Sequence, residues 1–186
     1  GLNSSDINNT NKTTFFGSNI SAKYRIDTTG SEWTAQVDYN YYGNTNTQLY
    51  KNFNYSPAKP TVSGDGANKN NKQIFLFQTD LVLKFPKSLT LEAGFKTTIS
   101  NSENSSNYFK DTGNNNRFVD VFQTNTFKYK ENITAAYLQV SKTFAGFTIK
   151  PGLRLEVTDI NGKQLIPKDT TLSLKRTDVF PYLFIK

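Results

Sequence analysis

Apolar and polar residues alternate one by one along several segments of this 186-residue chain. The clearest example is Phe75–Phe85, where every odd-numbered residue except Thr79 is apolar, and Leu89–Phe95 continues in the same phase. Successive side chains of a β-strand point to opposite faces, so this spacing predicts two strands that share one apolar face. Helical spacing of apolar residues never extends beyond a few residues. We therefore predict an all-β fold.

Short turns join the alternating segments in pairs. The turns are Thr28–Ser31, Pro86–Ser88 and Ala145–Gly146, and each is flanked on both sides by an alternating segment. Tight turns of this composition connect antiparallel neighbours. We therefore predict an antiparallel up-and-down meander of about six to eight strands.

Long polar segments alternate with these turns, namely Gly43–Asn71, Ser100–Asn125 and Asp159–Thr177. A meander that alternates short and long connections places all the long ones at one end, as outer-membrane β-barrels do. We predict strands of about ten residues, which is the length that a tilted membrane strand requires. Because Gly43–Asn71 and Ser100–Asn116 contain few apolar anchors, we expect them to be the least ordered segments, with Gly113–Asn116 forming a turn or remaining disordered.

A soluble β-sandwich or a lipocalin-like barrel fits the same alternation, because its apolar face packs into a protein core. The pattern alone leaves the membrane barrel and the soluble domain open. In a membrane barrel, the aromatic residues beside the tight turns would form an interfacial girdle. These residues are Trp33, Phe85, Phe144 and Phe147.

The strand before Ala145 is less regular than the others. Its odd-numbered residues from Phe127 to Tyr137 are mostly apolar, and we predict that they form its apolar face. The even-numbered Ala136, Leu138 and Val140 are also apolar. Glu131 shares the odd phase, which is unusual for a lipid-facing position, so it marks a face switch, a bulge or the membrane boundary.

The chain contains no His and no Cys. This excludes Ser-His-Asp and Cys-based nucleophilic sites, disulfide bonds, and metal ligation by imidazole or thiolate. No spacing isolates an Asp/Glu pair or a Ser/Lys arrangement, so we expect no catalytic, metal or cofactor site and no enzymatic activity. The net charge of +7 comes from scattered Lys and Arg residues, and we do not expect nucleic-acid binding.

Charged residues occupy the polar phase of the predicted strands. They could line a lumen and guide a substrate or contact a plug domain, but we expect cross-strand charge pairs in a hydrated interior. The residues concerned are Asp80, Lys84, Glu92, Lys96, Arg154 and Glu156. The segment Asp159–Gly162 faintly resembles a calcium loop but lacks the glutamate at the twelfth position, so we predict a turn there.

Several motifs follow one another between residues 72 and 184. They are Gln78–Pro86 (QTDLVLKFP), Leu91–Lys96 (LEAGFK), Phe127–Tyr137 (FKYKENITAAY), Gly152–Glu156 (GLRLE), Thr158 with Asn161–Gly162, and Phe180–Pro181. In order and approximate spacing they resemble Bacteroidota-type outer-membrane β-barrel proteins, which are relatives of TonB-dependent receptors.

The resemblance implies a protein of the cell outer membrane whose complete form has an N-terminal plug and a barrel of about 22 strands. It further implies that lipid contacts the barrel, that the TonB system and the plug are possible partners, and that the full protein takes up a bulky nutrient. The alternative is a soluble extracellular β-domain that binds glycan or protein through its long loops.

Residues 1–18 are polar and lack regular alternation, so we expect them to be poorly ordered. We expect residues 19–186 to form one β-barrel segment, truncated at its C-terminus. About seven strands cut from a larger barrel leave two open edges and an uncovered apolar face, both costly in water. We therefore expect either closure into a small barrel with the apolar face inward or association with a second copy.

Overall fold

A computed structural model describes residues 2–56, 58–112, 116–166 and 168–186. These residues form one antiparallel sheet of eight strands. The strands are β1 (Leu2–Arg25), β2 (Glu32–Ser56), β3 (Ala58–Phe85), β4 (Leu89–Asp111), β5 (Arg117–Val119), β6 (Asn125–Phe144), β7 (Phe147–Ile166) and β8 (Thr170–Ile185). Their order is β1-β2-β3-β4-β6-β7-β8, and the short β5 pairs with β4. The predicted all-β meander is confirmed.

The three predicted tight turns connect β1 to β2, β3 to β4 and β6 to β7. Ala145 and Gly146 both have positive φ, 49° and 86°, as in the type I′ turn that matches the twist of a hairpin. In the β1–β2 turn, Asp27 Oδ1 accepts hydrogen bonds from the backbone N–H groups of Thr29 (2.8 Å) and Ser31 (2.9 Å). Hydrogen bonds from Ser31 hold the pKa of Asp27 well below its usual range.

The strands are much longer than predicted, between 16 and 28 residues apart from β5. Residues 43–71 are not a loop: β2 runs to Ser56 and β3 begins at Ala58. Most of residues 100–125 and 159–177 likewise belong to strands, although residues 113–115 of the predicted Gly113–Asn116 turn lie outside the described part. These polar ends do lie at one end of the sheet, opposite the tight turns, as predicted.

Polar side chains take the place of the missing apolar anchors in these strand extensions. Asn44 Nδ2 donates to Asn11 Oδ1 across β1 and β2 (2.8 Å), and Asn68 Nδ2 donates to Ser106 Oγ across β3 and β4 (2.9 Å). Such side-chain bonds add to the continuous backbone ladder, which pairs the N–H and C=O groups of neighbouring strands and so leaves few of them without a partner. Residues 2–18, expected to be poorly ordered, form part of β1 and pair with β2 in this way.

The pairing register gives the sheet an apolar face and a polar face near the tight turns. Leu81 lies opposite Trp33 on β2 and Ala93 on β4, and Ala93 lies opposite Leu138 on β6. Leu138 in turn lies opposite Leu153 on β7. This series of cross-strand neighbours defines the apolar face, and it confirms that Phe75–Phe85 and Leu89–Phe95 contribute their odd-numbered residues to one side.

The apolar face is not covered by any other described part of the chain. Leu138, Leu153 and Phe144 are 52%, 49% and 74% exposed, and Ala135, on the opposite face, is the one buried apolar residue among the described positions. A soluble sandwich would require a second layer over this face. A single sheet with an apolar surface of this extent needs another apolar medium or partner against it.

Closure into a small barrel, one of the two outcomes expected above, is wrong. β1 and β8 are the two edges of the sheet and do not pair with each other. The apolar face that closure would turn inward therefore stays exposed, as Leu138 and Leu153 show. Pairing with a second copy remains a prediction.

Candidate functional site on the polar face

Glu92 on β4 is a centre of hydrogen bonding on the polar face. Its Oε1 forms an ion pair with Lys150 Nζ on β7 at 3.0 Å, and its Oε2 accepts a hydrogen bond from Gln139 on β6. The Oε1 atom of Gln139 in turn accepts a hydrogen bond from the Tyr182 hydroxyl on β8. Side chains from four strands are therefore connected above the backbone ladder, and all lie on the side opposite the apolar face.

Asp80 on β3 is the centre of a second hydrogen-bonded group on the same face. Its Oδ1 accepts a hydrogen bond from the Tyr137 hydroxyl at 2.6 Å, and its Oδ2 accepts one from Gln78 Nε2 at 2.8 Å. We call Gln78, Asp80, Glu92, Tyr137, Gln139, Lys150 and Tyr182 the polar network. Both carboxylates in it accept hydrogen bonds or an ion pair, so neither is left without a partner.

Glycines provide the space for the tyrosine rings of the polar network. The Tyr137 ring lies against Gly94, where an added Cβ would be 2.2 Å from Cε1, and the Tyr182 ring lies against Gly152, where a Cβ would be 2.2 Å from Cζ. Any side chain at these two positions would displace the ring. The glycines in the motifs LEAGFK and GLRLE thus have a steric role on the polar face.

The remaining predicted charges also lie on the polar face. Arg154 donates to Glu156 Oε2 through Nη2 (2.7 Å) and Nε (3.2 Å), which is a pair within β7 rather than across strands. Lys96 lies between Gln78 and Ala135, and the backbone N–H of Lys84 donates to Ser31 Oγ (2.9 Å). The predicted cross-strand charge pairing is found for Glu92, which pairs with Lys150. It is not found for Arg154 and Glu156, which pair within one strand, and Asp80 accepts hydrogen bonds from neutral donors instead.

The predicted face of β6 is wrong. Leu138 lies opposite Ala93 and Leu153, so the even-numbered residues of β6 face the apolar side and Tyr137 faces the polar side. Glu131 is therefore on the polar face, and its phase with Tyr129 is no longer unusual. The sequence contained the signal in the apolar residues Ala136, Leu138 and Val140, but the five aromatic and aliphatic residues of the odd phase between Phe127 and Tyr137 outweighed it. This error concealed Tyr137, and Tyr182 and Gln139 were missed as well.

Asp159–Gly162 forms neither a turn nor a calcium loop. The segment continues β7, where Asp159 lies opposite Asn132 on β6 and Lys175 on β8, and Asn161 Nδ2 donates to Asp159 Oδ1 at 2.8 Å. No group of three or more Asp or Glu residues that could hold a metal ion occurs in the described ranges. In those same ranges, no helix has the length and apolar character needed to cross a membrane.

A compact clamp orders the connection between β4 and β6 at the far end of the sheet. The buried carboxylate of Asp120 accepts hydrogen bonds from the Phe122 backbone N–H (3.1 Å) and Gln123 Nε2 (3.0 Å), and forms an ion pair with Lys110 Nζ (2.7 Å). The hydrogen bond from Lys110 lowers the pKa of Asp120. Arg117 fixes the neighbouring β5 through two 2.9 Å bonds to Asp65.

These features define a class of protein before any comparison is made. One antiparallel sheet carries an uncovered apolar face, a hydrated and hydrogen-bonded polar face, short turns at one end and polar strand extensions at the other. This combination is typical of the wall of a transmembrane β-barrel.

Comparison with known proteins agrees with this class. The outer membrane protein beta-barrel family matches residues 24–186, so the chain belongs to that family. A search of curated proteins finds no relative that matches.

Comparison with solved structures finds, among others, one transporter and two receptors of low sequence identity. The unliganded ferric citrate transporter FecA is 11% identical with a TM-score of 0.43, covering 83% of this chain and 25% of FecA. The ferric yersiniabactin uptake receptor FyuA from Yersinia pestis is 13% identical with a TM-score of 0.36, covering 82% and 24%. The siderophore receptor PiuA from Acinetobacter baumannii is 9% identical with a TM-score of 0.43, covering 94% and 40%. The chain thus spans between about a quarter and two fifths of these proteins.

Proposed function

We propose that this chain is part of the wall of an outer-membrane barrel of the TonB-dependent-receptor type, with its apolar face toward lipid and its polar face toward the lumen. The observation that carries the proposal is the polar network, which satisfies the carboxylates of Asp80 and Glu92 directly behind an exposed apolar face. A charge buried without partners in a membrane barrel would be costly, whereas a hydrated and paired lining is stable.

The role of the complete protein follows as part of the same proposal. A barrel of this type takes up a nutrient too bulky to diffuse through the membrane, with a plug domain and the TonB system as partners. The charged residues of the described segment act as lumen lining, and we propose no enzymatic role, because the acidic groups of the polar network are engaged in hydrogen bonds and ion pairs. The soluble extracellular alternative would require a second layer over the apolar face, and no described part of the chain covers that face.

Cysteine labelling tests which face meets lipid, and the chain offers a clean background because it contains no Cys. Leu138→Cys on the apolar face and Gln139→Cys on the polar face are adjacent on β6. In intact outer membranes we expect a water-soluble maleimide to label Cys at 139 and a lipid-soluble maleimide to label Cys at 138. Reversed labelling would contradict the assignment of faces, and recovery of the protein in the soluble fraction would favour the alternative.

Uptake measurements test the role of the complete protein. Cells with and without the gene are compared for uptake of a panel of bulky labelled nutrients, with and without a protonophore. We expect at least one nutrient to depend on both the gene and the proton gradient. Uptake that survives the protonophore would contradict energised transport, even if the labelling confirms the barrel wall.

A further inference from the structure

Lysines gather on the apolar side of the sheet just beyond the point where the apolar residues end. The last apolar row across the central strands contains Tyr39, Phe75 and Ile99. The next residues on the same face are Tyr41, Gln73, Asn101, Lys130 and Asn161, and the row after that contains Glu103, Lys128 and Lys163. Successive rows on one face are two residues apart along each strand, which is about 6.6 Å. The lysines therefore lie at the edge of the apolar face that is farthest from the tight turns.

Two of these lysines directly oppose each other. Lys128 on β6 and Lys163 on β7 are cross-strand partners on one face, and Lys130 is on the same face of β6, two residues from Lys128. Like charges placed directly opposite in an antiparallel sheet are destabilising. The arrangement is therefore one that an anion between the side chains would stabilise.

The acidic neighbours neutralise this cluster only in part. Glu103 Oε2 lies 3.3 Å from Lys128 Nζ, and Asp169 Oδ2 lies 3.4 Å from Lys163 Nζ, but all four side chains are roughly half exposed. Exposed pairs of this kind contribute little and exchange partners readily. Asp159, the third acid nearby, accepts a hydrogen bond from Asn161. Lys130 has no ion pair among the described residues.

The two rows enclose an open depression of about 550 Å³, with Tyr41, Asn71, Asn101 and the three lysines among its lining residues. Lysine ammonium groups and Asn amides are donors suited to phosphate oxygens, and a Tyr ring at this level is typical of a membrane interface. The neighbouring row on the same face, two residues along each strand toward the tight turns, is the apolar row of Tyr39, Phe75 and Ile99. A ligand that fits both parts has a phosphorylated head and a hydrocarbon tail.

The lysines lie at the end of the sheet opposite the short turns, which is the extracellular end in outer-membrane barrels. We propose that Lys128, Lys130 and Lys163 bind the phosphate groups of an anionic lipid in the outer leaflet, with its acyl chains against the apolar face. The inference rests on the proposed function, since it requires the apolar face to meet lipid. Free inorganic phosphate shares the headgroup chemistry but would gain nothing from the apolar rows below, so the lipid is the favoured source.

The test compares lipid binding by the purified protein and two triple variants. Native mass spectrometry in non-ionic detergent measures binding of bisphosphorylated lipid A and of the same lipid after phosphatase treatment. One variant carries Lys128→Gln, Lys130→Gln and Lys163→Gln. The control carries Lys12→Gln, Lys51→Gln and Lys72→Gln, which remove the same charge from exposed positions on the strand extensions. Near a membrane surface each lysine contributes about 1 kcal/mol, so we expect about a hundredfold weaker binding in the first variant and little change in the control.

The phosphatase-treated lipid should bind the unmodified protein about as weakly as the phosphorylated lipid binds the first variant. Equal binding by both triple variants, or no effect of removing the phosphates, would overturn the proposal. Displacement of the lipid by millimolar inorganic phosphate would overturn the choice of a lipid source. Labelling of Leu138→Cys in intact outer membranes reports separately whether the apolar face meets lipid, so failure of the lysine site and failure of the proposed function are distinguishable.

Discussion

Replacing Gly94 with alanine is expected to destabilise the barrel wall by disrupting the contact between Tyr137 and Asp80. The added Cβ would lie 2.2 Å from Tyr137 Cε1 and 2.5 Å from Asp80 Oδ1. Carbon atoms in favourable contact are about 3.5 Å apart, so the ring must retreat by about 1.3 Å. A displacement of that size is enough to break the 2.6 Å hydrogen bond from the Tyr137 hydroxyl to Asp80.

Two effects set the size of the loss. Forcing an extra methyl into a packed site costs about 1–3 kcal/mol, and a hydrogen bond to a charged group contributes about 1.5–3 kcal/mol. Alanine regains about 0.5–1 kcal/mol because glycine is unfavourable within a strand. We expect Gly94→Ala to lower the free energy of unfolding by about 2–4 kcal/mol.

Urea unfolding of the protein in lipid vesicles measures this loss, with the fluorescence of Trp33 as one probe. Gly162→Ala is the matched control, because its Cβ would lie 3.3 Å from the nearest atom, Phe127 Cζ, on the same face. We expect the control to change stability by less than about 1 kcal/mol, because the gain of alanine over glycine in a strand and the tight approach to the Phe127 ring act in opposite directions. In a Tyr137→Ala background the cost of Gly94→Ala should largely disappear. Equal losses for the two glycine variants, or an undiminished loss without the Tyr137 ring, would refute the steric argument.

Two further predictions concern the ends of the sheet. Ala145→Gly should raise the free energy of unfolding by about 1 kcal/mol, because it removes the cost of a positive φ at a residue with a side chain. Gly146→Ala should lower the free energy of unfolding by about the same amount, although its Cβ would meet open space. Urea titration that gives the two variants equal effects would contradict this. At the Asp120 clamp, the lowered pKa of Asp120 means that its contribution to stability is fully present above the ordinary Asp pKa of about 4. This contribution is lost as the pH falls through the pKa that Asp120 has in the folded protein. Pepsin should therefore cut the β4–β6 connection increasingly below pH about 4. Asp120→Asn should expose the connection to other proteases at pH 7, and cleavage that matches the unmodified protein would count against the clamp.

The position of the polar network shows how much depends on register. Period-two alternation predicted correctly that Asp80, Glu92, Arg154 and Glu156 share the face opposite Phe77 and Leu91, because alternation within one strand is a local property. It failed on β6, where both phases contain apolar residues. Only pairing with β4 and β7 assigns Leu138 to the apolar face and Tyr137 to the polar face, since a strand's faces are set by its neighbours when its own pattern is ambiguous.

The polar strand extensions were a second point at which local sequence was misleading. Segments rich in Asn, Gly and Lys have low strand propensity and few apolar anchors, which favoured loops. In the structure their backbones pair with neighbours already aligned by the apolar strands below, and side-chain bonds such as Asn68 to Ser106 add to the ladder. Once a strand is aligned, each further pair closes no new loop, so extension has a small entropic cost.

The sequence by itself determined the all-β class, the meander, the three tight turns and the two chemical faces of most strands, because turn chemistry and alternation act over a few neighbouring residues. Only the tertiary structure decided the length of the strands, the faces of β6, the connections among Glu92, Gln139, Lys150 and Tyr182, and the opposition of Lys128 and Lys163. These features join residues up to 58 positions apart, as between Lys150 and Glu92. Their geometry exists only when several strands pair in one register, and no local pattern encodes that register completely.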